Sequence, residues 1–372
     1  MTASPVDWTT AARIARRLAR RDPLERSYLR HSLEPDFERV TVEAEALVAD
    51  FTGLVPPTHA RAAVVDRAAW IDANIVSMRR LLSAINPALT ARFDGGPIGA
   101  VGRHAAGSEL GVILGYMSQR VLGQYDLLMP DDAEGSSTPG ARSANDSVSR
   151  DGSEGDTVFY VGTNVLTLEK RFGFRPVEFR RWIAIHELTH RAQFTAVPWL
   201  RGYFLGLVDE MLGRVEPDPR ALVRAFARAA EAVSRGKHPF DEAGIVGLFA
   251  DDHQRALLGR IQAFMSLLEG HGNYVMNVLG REHVHGVERM ERVLTARRAQ
   301  GGVSGQLNKV LGLEMKLRQY EIGERFIEAV VERAGFEALD VAFSEPDALP
   351  HLDEFTDADR WLARMAGTRV SA

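Results

Sequence analysis

The sequence contains the stretch Arg181-Trp182-Ile183-Ala184-Ile185-His186-Glu187-Leu188-Thr189-His190, around which the rest of the chain is interpreted. Its two histidines are four positions apart, and residues four apart on a helix lie on one face, one turn above another. His186 and His190 can therefore direct two imidazoles at one metal ion, and Glu187 can reach a water held by that ion. The stretch predicts a zinc site on a single helix.

The flanking sequence favours a metal site over a solvated helix face that carries the pattern by chance. Pro176 is suited to the first turn of a helix, where its missing N–H costs nothing. Apolar residues then recur from Val177 to Phe194, which predicts a helix whose motif is partly buried. An unpaired histidine or glutamate would be costly in such a place.

The composition is that of an ordinary globular protein, with 372 residues, 45% of them hydrophobic and 26% charged. A net charge of -5 gives no electrostatic reason to expect a nucleic-acid partner. The chain has no cysteine, which excludes disulfides, thiolate nucleophiles and cysteine-bound zinc. Zinc would therefore have to be held by histidine and carboxylate side chains.

Neither a signal peptide nor a membrane span is predicted. The first residues, Met1 to Trp8, contain no apolar run of signal-peptide length. No run in the chain approaches the roughly 18 apolar residues of a membrane span. We therefore expect a cytoplasmic protein with no membrane partner, and the sequence leaves its oligomeric state open.

Changes of composition divide the chain into three parts. Residues 1–130 predict an N-terminal helical region that packs on the catalytic core. Residues 131–156, rich in Ser, Asp and Gly, predict a disordered insertion, because such a composition cannot bury a core. Residues 157–372 contain the motif and the C-terminal helices, and we expect them to form one compact unit with residues 1–130.

A glycine stripe precedes the insertion. Gly107, Gly111 and Gly115 recur every four residues, which predicts a smooth helix face on which another helix packs closely. The same helix is predicted to continue through Leu122 towards Asp126.

The strand with the strongest signal is Thr157–Val161, which is rich in β-branched and aromatic residues. Its exposed edge could hold an extended peptide by main-chain hydrogen bonds. The segment from Val64 to Leu82 has apolar residues at helical spacing, after a stop at Pro56-Pro57. The sequence thus predicts a mainly α protein with a small β element beside the motif helix.

A third ligand is needed, because catalytic zinc usually keeps three protein ligands and one water. No histidine follows at the spacing His-x-x-Gly-x-x-His, since Arg191-Ala192-Gln193-Phe194 comes after the motif. A carboxylate from another helix is therefore expected. Glu269 is preferred because it follows an apolar run. A metal ligand is expected to project from an apolar wall, and such a run can form that wall. Glu210 is the alternative, although it lies beside charged residues.

The residues after Glu269 are further candidates for the site. His271 could stabilise a tetrahedral oxyanion as a catalytic residue, or it could only cap its helix. Tyr274 is an alternative for the same role. Asn273, one helical turn beyond Glu269, could orient an imidazole ligand from behind.

Several segments, among them Trp182 to Arg201, Met265 to His271, Val121 to Asp126 and Gly312 to Tyr320, together resemble a family of bacterial zincin-like metalloproteases. The resemblance covers most of the chain. Some members of that family are described only as uncharacterised hydrolases or as associated with deazaflavin cofactor biosynthesis. The resemblance implies a mainly helical zincin-like fold and a zinc site at the two motif histidines.

Residues and resemblance together predict a zinc-dependent hydrolase, most simply a peptidase, that acts on a peptide or a small amide. Glu187 would take a proton from water as general base and pass it to the leaving amine. The predicted metal ligands are His186, His190 and Glu269, and the predicted second catalytic residue is His271. Two alternatives remain: a catalytically silent binding or accessory protein with the same fold, and a hydrolase of small amides.

Overall fold

Helices dominate the fold, in agreement with the mainly α class predicted from the sequence. The computed structural model describes residues 4–19, 22–83, 96–125, 156–213, 252–299 and 313–370. Among these residues, no helix is both long enough and apolar enough to cross a membrane. The helices are α1 (Trp8–Leu18), α2 (Leu33–Thr52), α3 (Arg67–Ser83), α4 (Gly96–Met117), α5 (Gly162–Phe172), α6 (Pro176–Ala196), α7 (Leu200–Gly213), α8 (Asp252–His283), α9 (Val287–Ala299), α10 (Leu313–Ala334) and α11 (Ala358–Val370). Short 3-10 helices span Pro23–Arg26, Tyr28–Ser32, Phe336–Phe343, Pro346–Ala348 and Leu352–Thr356.

A three-stranded sheet stands beside the motif helix α6. Its strands are β1 (Arg61–Val65), β2 (Gly123–Tyr125) and β3 (Thr157–Val161), in the spatial order β1-β3-β2. β3 runs parallel to β1, with Arg61 opposite Thr157. It runs antiparallel to β2, with Tyr125 opposite Val158. The sheet of the described residues therefore has β3 at its centre and β2 at one edge.

Two of these strands correct the sequence-based prediction. The helical pattern predicted from Val64 onwards begins only at Arg67, because β1 takes Val64 into the sheet. The helix predicted to continue through Leu122 ends at Met117, and β2 follows it. The prediction of an exposed edge on β3 is also wrong, because β1 and β2 cover its two sides. Pairing between segments distant in sequence produces these strands, and local periodicity does not report such pairing.

The sequence of α6 explains where it begins and how it is held. Pro176 occupies the start of the helix, where no N–H is needed. The negative charge of Glu178 in the first turn interacts favourably with the positive end of the helix dipole. The helix packs on α2 and on α8. Phe179, Ile185 and Leu188 are buried in the resulting core, and each such side chain contributes about 1.5–3 kcal/mol on burial.

Helix α8 connects two hydrophobic cores. Val275 and Leu279 belong to the core that also contains residues of α2, α6 and the sheet. Phe264 and Leu267 belong to a second core, which includes residues of α10, α11 and the C-terminal 3-10 helices. Glu269 lies between these two stretches of α8, so the helix presents it where the two cores meet.

The glycine stripe on α4 packs against another helix, as predicted. Its partner is α1. A β-carbon on Gly111 would lie 2.7 Å from the Ala11 carbonyl oxygen, and one on Gly115 would lie 2.6 Å from Leu18 Cβ. The close contact between the two helices therefore requires glycine at these positions.

The three-part division of the chain remains a prediction. Residues 131–155 of the predicted insertion lie outside the described residues. Asp156, predicted as the last residue of the insertion, is buried and bonded to Arg191 of α6. The chain thus contacts the motif helix one residue earlier than the predicted boundary at 157.

Candidate metal centre

The two motif histidines converge on one point. His186 and His190 lie one turn apart on α6, and their Nε2 atoms are 3.2 Å apart. Their rings are nearly perpendicular, at 84°, with centroids 4.6 Å apart. Both residues are partly buried. Helical spacing places the two rings on the same face, as the sequence predicts.

Glu269 on α8 faces the same point. Its Oε2 lies 3.5 Å from His190 Nε2, and one ligand atom from each of Glu269, His186 and His190 lies within 4.8 Å of the other two. In the part of the chain that the structure describes, no other group of three His, Cys, Asp or Glu side chains comes so close together. Gly272 permits this approach of α8, because a β-carbon there would lie 3.0 Å from His190 Cε1.

Two of the three separations between donor atoms match those expected around a tetrahedral zinc ion, and the third, between His186 and Glu269, is within 4.8 Å. Atoms bound to zinc at about 2.0–2.1 Å with tetrahedral angles lie about 3.3–3.4 Å from one another. The observed separations are 3.2 Å between the two imidazole nitrogens and 3.5 Å between His190 and Glu269. Two imidazoles and one carboxylate are also a ligand set of catalytic zinc, which keeps its fourth position for water.

Glu210, the alternative third ligand, lies elsewhere. It is on α7, and its Oε1 is 2.8 Å from His253 Nε2 in an ion pair at the surface. Glu269, and not Glu210, belongs to the group around the two motif histidines. The geometry therefore favours Glu269 as the third ligand.

Glu187 is buried between the ligands and β2. A β-carbon on Gly123 would lie 2.5 Å from Glu187 Cγ, so the strand can approach the helix this closely only with glycine at that position. The N–H of Tyr125 donates a hydrogen bond to the Glu187 carboxylate. Burial, with a smaller effect from the charge of Glu269, raises the pKa of Glu187 to about 7. A carboxyl group with this pKa can accept and release a proton near neutral pH.

The two carboxylates attract positive charge to the centre. Burial by itself lowers the pKa of His190, but the hydrogen bond and the charge of Glu269 outweigh burial and raise this pKa to about 9. The charge of Glu187 acts in the same direction. Buried carboxylates need a compensating cation, and either a proton on His190 or a metal ion would supply it.

Gln193 is a residue of the site for which the sequence gave no prediction. It is buried on α6, and its Oε1 lies 3.0 Å from His190 Nδ1. Its Nε2 lies 3.1 Å from the Leu268 carbonyl oxygen and 2.9 Å from His271 Nδ1. The sequence feature that could have identified Gln193 is its spacing of three from His190, because residues three apart on a helix are neighbours on its surface.

His271 is buried against Gln193. The residue is 2% exposed, and its ring lies edge-on to Phe343 and tilted towards Phe336. Burial lowers the pKa of His271 to about 3, so the ring is neutral near pH 7. These surroundings favour a supporting position over direct contact with a substrate.

The two other residues predicted on α8 lie further along the same helix. Asn273 is buried. Tyr274 stacks on Phe336, with ring centroids 5.9 Å apart, and burial raises the pKa of its hydroxyl. Ligand orientation by Asn273 and oxyanion stabilisation by Tyr274 stay predictions.

Comparison with known proteins shows the family of this chain. The sequence profile of the zincin-like metallopeptidases matches residues 6–362 of the chain. This protein belongs to the zincin-like metallopeptidase family. The structure is also similar to the crystal structure of a protein from Chloroflexus aurantiacus, described as a candidate hydrolase with a novel fold. The two chains share 30% sequence identity, with a TM-score of 0.62, over 97% of this chain and 99% of the other.

Among curated proteins, none matches the chain. Membership of the zincin-like metallopeptidase family nevertheless confirms the resemblance and the fold class predicted from the sequence. It implies a zinc-dependent hydrolase. Among the described residues of this zincin-like protein, the group of His186, His190 and Glu269 is where such a metal fits.

Proposed function

We propose that this zincin-like protein is a zinc-dependent peptidase, with His186, His190 and Glu269 as metal ligands and Glu187 as general base. One observation carries the proposal. Three donor atoms from two different helices come within 4.8 Å of one another, and the buried Glu187 carboxylate stands beside them. Family membership supports the reaction class.

Glu187 is the group that moves the proton in this proposal. Zinc bound at the centre would supply Lewis-acid activation of water and of a substrate carbonyl. Glu187 takes a proton from the attacking water and delivers it to the leaving amine. The hydrogen bond from the Tyr125 N–H orients the carboxylate.

The edge of β2 is the proposed place for the substrate backbone. The Leu122 carbonyl accepts a hydrogen bond from the Val161 N–H of β3, at 2.9 Å. The backbone N–H and C=O groups of successive residues in a strand point in alternate directions. Because those of Leu122 point towards β3, those of Gly123 and Tyr125 point away from it. On that side the Tyr125 N–H bonds to Glu187. An extended peptide along this edge would place a carbonyl beside the general base.

Metal content is the first test. Wild-type protein purified without added metal or chelator should carry about one zinc per chain, as measured by elemental analysis. A variant with His186→Ala and His190→Ala should carry none. Wild-type protein that neither contains zinc nor takes it up would overturn the proposal.

The third ligand is tested by two matched substitutions. Glu269→Ala should weaken zinc binding, because it removes a ligand. Glu210→Ala, which removes a carboxylate from the surface pair with His253, should leave zinc binding unchanged. Release of zinc by Glu210→Ala, with retention by Glu269→Ala, would assign the ligand to Glu210 instead.

The general base is tested by Glu187→Gln, which keeps the side-chain shape but removes the basic oxygen. This variant should retain its fold and its zinc, but its turnover of fluorogenic peptides should be about 10²–10⁴-fold lower than that of the wild type. Unchanged turnover would overturn the mechanism. A zinc-loaded wild type that cleaves no amide would indicate a binding or accessory protein, and cleavage of small amides alone would indicate a small-amide hydrolase.

A further inference from the structure

Gln193 connects the second histidine of the motif to the helix that carries Glu269. The residue is fully buried on α6. Its amide oxygen faces His190, and its amide nitrogen faces both the Leu268 carbonyl and His271 of α8. One oxygen and both N–H groups of the amide therefore have partners, and these partners lie on both sides of the contact between α6 and α8.

The Leu268 carbonyl determines which group donates and which accepts in each hydrogen bond of the Gln193 side chain. A carbonyl oxygen can only accept, so the amide atom that faces it is the NH2 group, and Gln193 Oε1 faces His190. Oε1 can also only accept, so His190 Nδ1 carries the hydrogen. In the neutral form of the ring, which is the form that binds a metal, the other nitrogen then has the lone pair. That atom is Nε2, which faces His186 and Glu269.

The same amide fixes the orientation of His271. The NH2 group of Gln193 donates to His271 Nδ1, so the hydrogen of this neutral ring is on Nε2. Phe343 and Phe336 confine the ring, with centroid distances of 5.1 and 5.8 Å. Leu268 and His271 together leave the Gln193 amide one orientation in which all its bonds are made.

We propose that Gln193 is a positioning residue that selects the metal-binding tautomer of His190 and ties this ligand to Glu269 through the backbone of α8. The tie is short, because Leu268, which accepts the hydrogen bond, directly precedes Glu269 in the chain. His271 supports the Gln193 amide and does not touch the substrate. The inference rests on the proposed metal site.

Metal affinity is where the effect is expected. A partner on the far nitrogen of a ligating imidazole fixes the ring and raises the basicity of the other nitrogen, and its loss weakens metal binding by about 10–100-fold. Gln193→Met keeps most of the side-chain volume but can make neither bond to the histidines. Gln193→Leu is a second variant of the same kind.

The experiment compares zinc dissociation constants, measured by competition with a chelator. Both Gln193 variants should have dissociation constants about 10–100-fold above that of the wild type. Thr189→Val is the matched control, since Thr189 is buried on the same helix beside His190 and its hydroxyl donates to the Ile185 carbonyl of that helix, at 2.7 Å. It should leave the dissociation constant unchanged.

A spectroscopic readout keeps the test independent of whether the variants fold. In wild-type protein with isotopically labelled histidine, nitrogen NMR should show His271 as the Nε2–H tautomer, with or without zinc. It should show His190 as the Nδ1–H form when zinc is bound. His271 in the Nδ1–H form would overturn the inference.

The outcomes separate this inference from the proposed function. Wild-type protein that binds no zinc would overturn both the proposed metal site and the role given to Gln193. Wild-type protein that binds zinc, together with folded Gln193 variants that bind it equally tightly, would overturn only the positioning role.

Discussion

Arg191 directly follows His190 in the chain and is fully buried. Because a buried charge is costly unless it is paired, its guanidinium needs charged or hydrogen-bonding partners. Its guanidinium contacts the carboxylates of Asp156 and Glu45 and the carbonyl of Thr58. Glu45 belongs to α2, and Asp156 directly precedes β3. This charged cluster therefore holds the histidine-bearing helix against two other elements of the core.

Arg191→Met should lower the free energy of unfolding by about 3–5 kcal/mol, because it leaves the buried carboxylate of Asp156 without its cation and removes a partner of the half-buried Glu45. Urea denaturation followed by circular dichroism measures this change. Arg16→Met is the control, since Arg16 and Asp72 form a surface pair whose side chains are 55% and 45% exposed. Its cost should be below about 1 kcal/mol. Equal losses in the two variants would contradict the role assigned to the buried cluster.

The contact between α1 and α4 depends on what each glycine of α4 faces. A β-carbon on Gly111 would lie 2.7 Å from the Ala11 carbonyl oxygen and 2.8 Å from Ile14 Cβ, and the backbone oxygen cannot move unless α1 moves. Gly102 of the same helix is exposed, with nothing within 4 Å of a β-carbon. The two glycines have the same helix-propensity cost, roughly 1 kcal/mol relative to Ala, so substitutions there isolate the packing effect.

Gly111→Ala should lower the free energy of unfolding by about 1–3 kcal/mol, because the added methyl group overpacks the helix contact. Gly102→Ala should raise it by about 0.5–1 kcal/mol, because alanine loses less conformational entropy in a helix. Denaturant titrations of both variants give the comparison. Stabilisation by Gly111→Ala would show that the two helices are further apart than described.

The sheet joins the N-terminal region to the motif-bearing region, since β1 and β2 precede the predicted insertion and β3 follows it. β2 and β3 are antiparallel neighbours, with Tyr125 opposite Val158. The chain thus leaves β2 and enters β3 at the same end of the sheet. A short connection is sufficient between strands arranged in this way.

Deletion of residues 131–155 should leave the thermal midpoint and the zinc content nearly unchanged. The composition of this segment cannot offset the entropy of ordering it, and residues 126–130 with Asp156 are enough to join the two strands. A deletion of 131–156 is the control, because it also removes the buried partner of Arg191 and should be destabilising. A large fall in the midpoint of the shorter deletion would show that the segment packs on the rest of the protein.

Features that depend on neighbours along the chain were predictable from the sequence. Helical periodicity and Pro176 define α6, and a β-branched run defines β3. The spacing of His186 and His190 is enough to place both imidazoles on one face. The apolar residues before Glu269 favour it over Glu210, and the structure brings Glu269 to the histidines. Metal binding itself stays a prediction.

Features that join distant segments required the folded structure. β1 and β2 lack a pattern that separates them from helix, and they are strands because β3 offers them hydrogen-bond partners. For the same reason β2, and not β3, is the edge beside Glu187. Gln193 meets Leu268 across 75 positions of sequence. This buried hydrogen bond forms because the apolar faces of α6 and α8 pack around it. That packing depends on the fold of the whole chain, so no local sequence pattern predicts it.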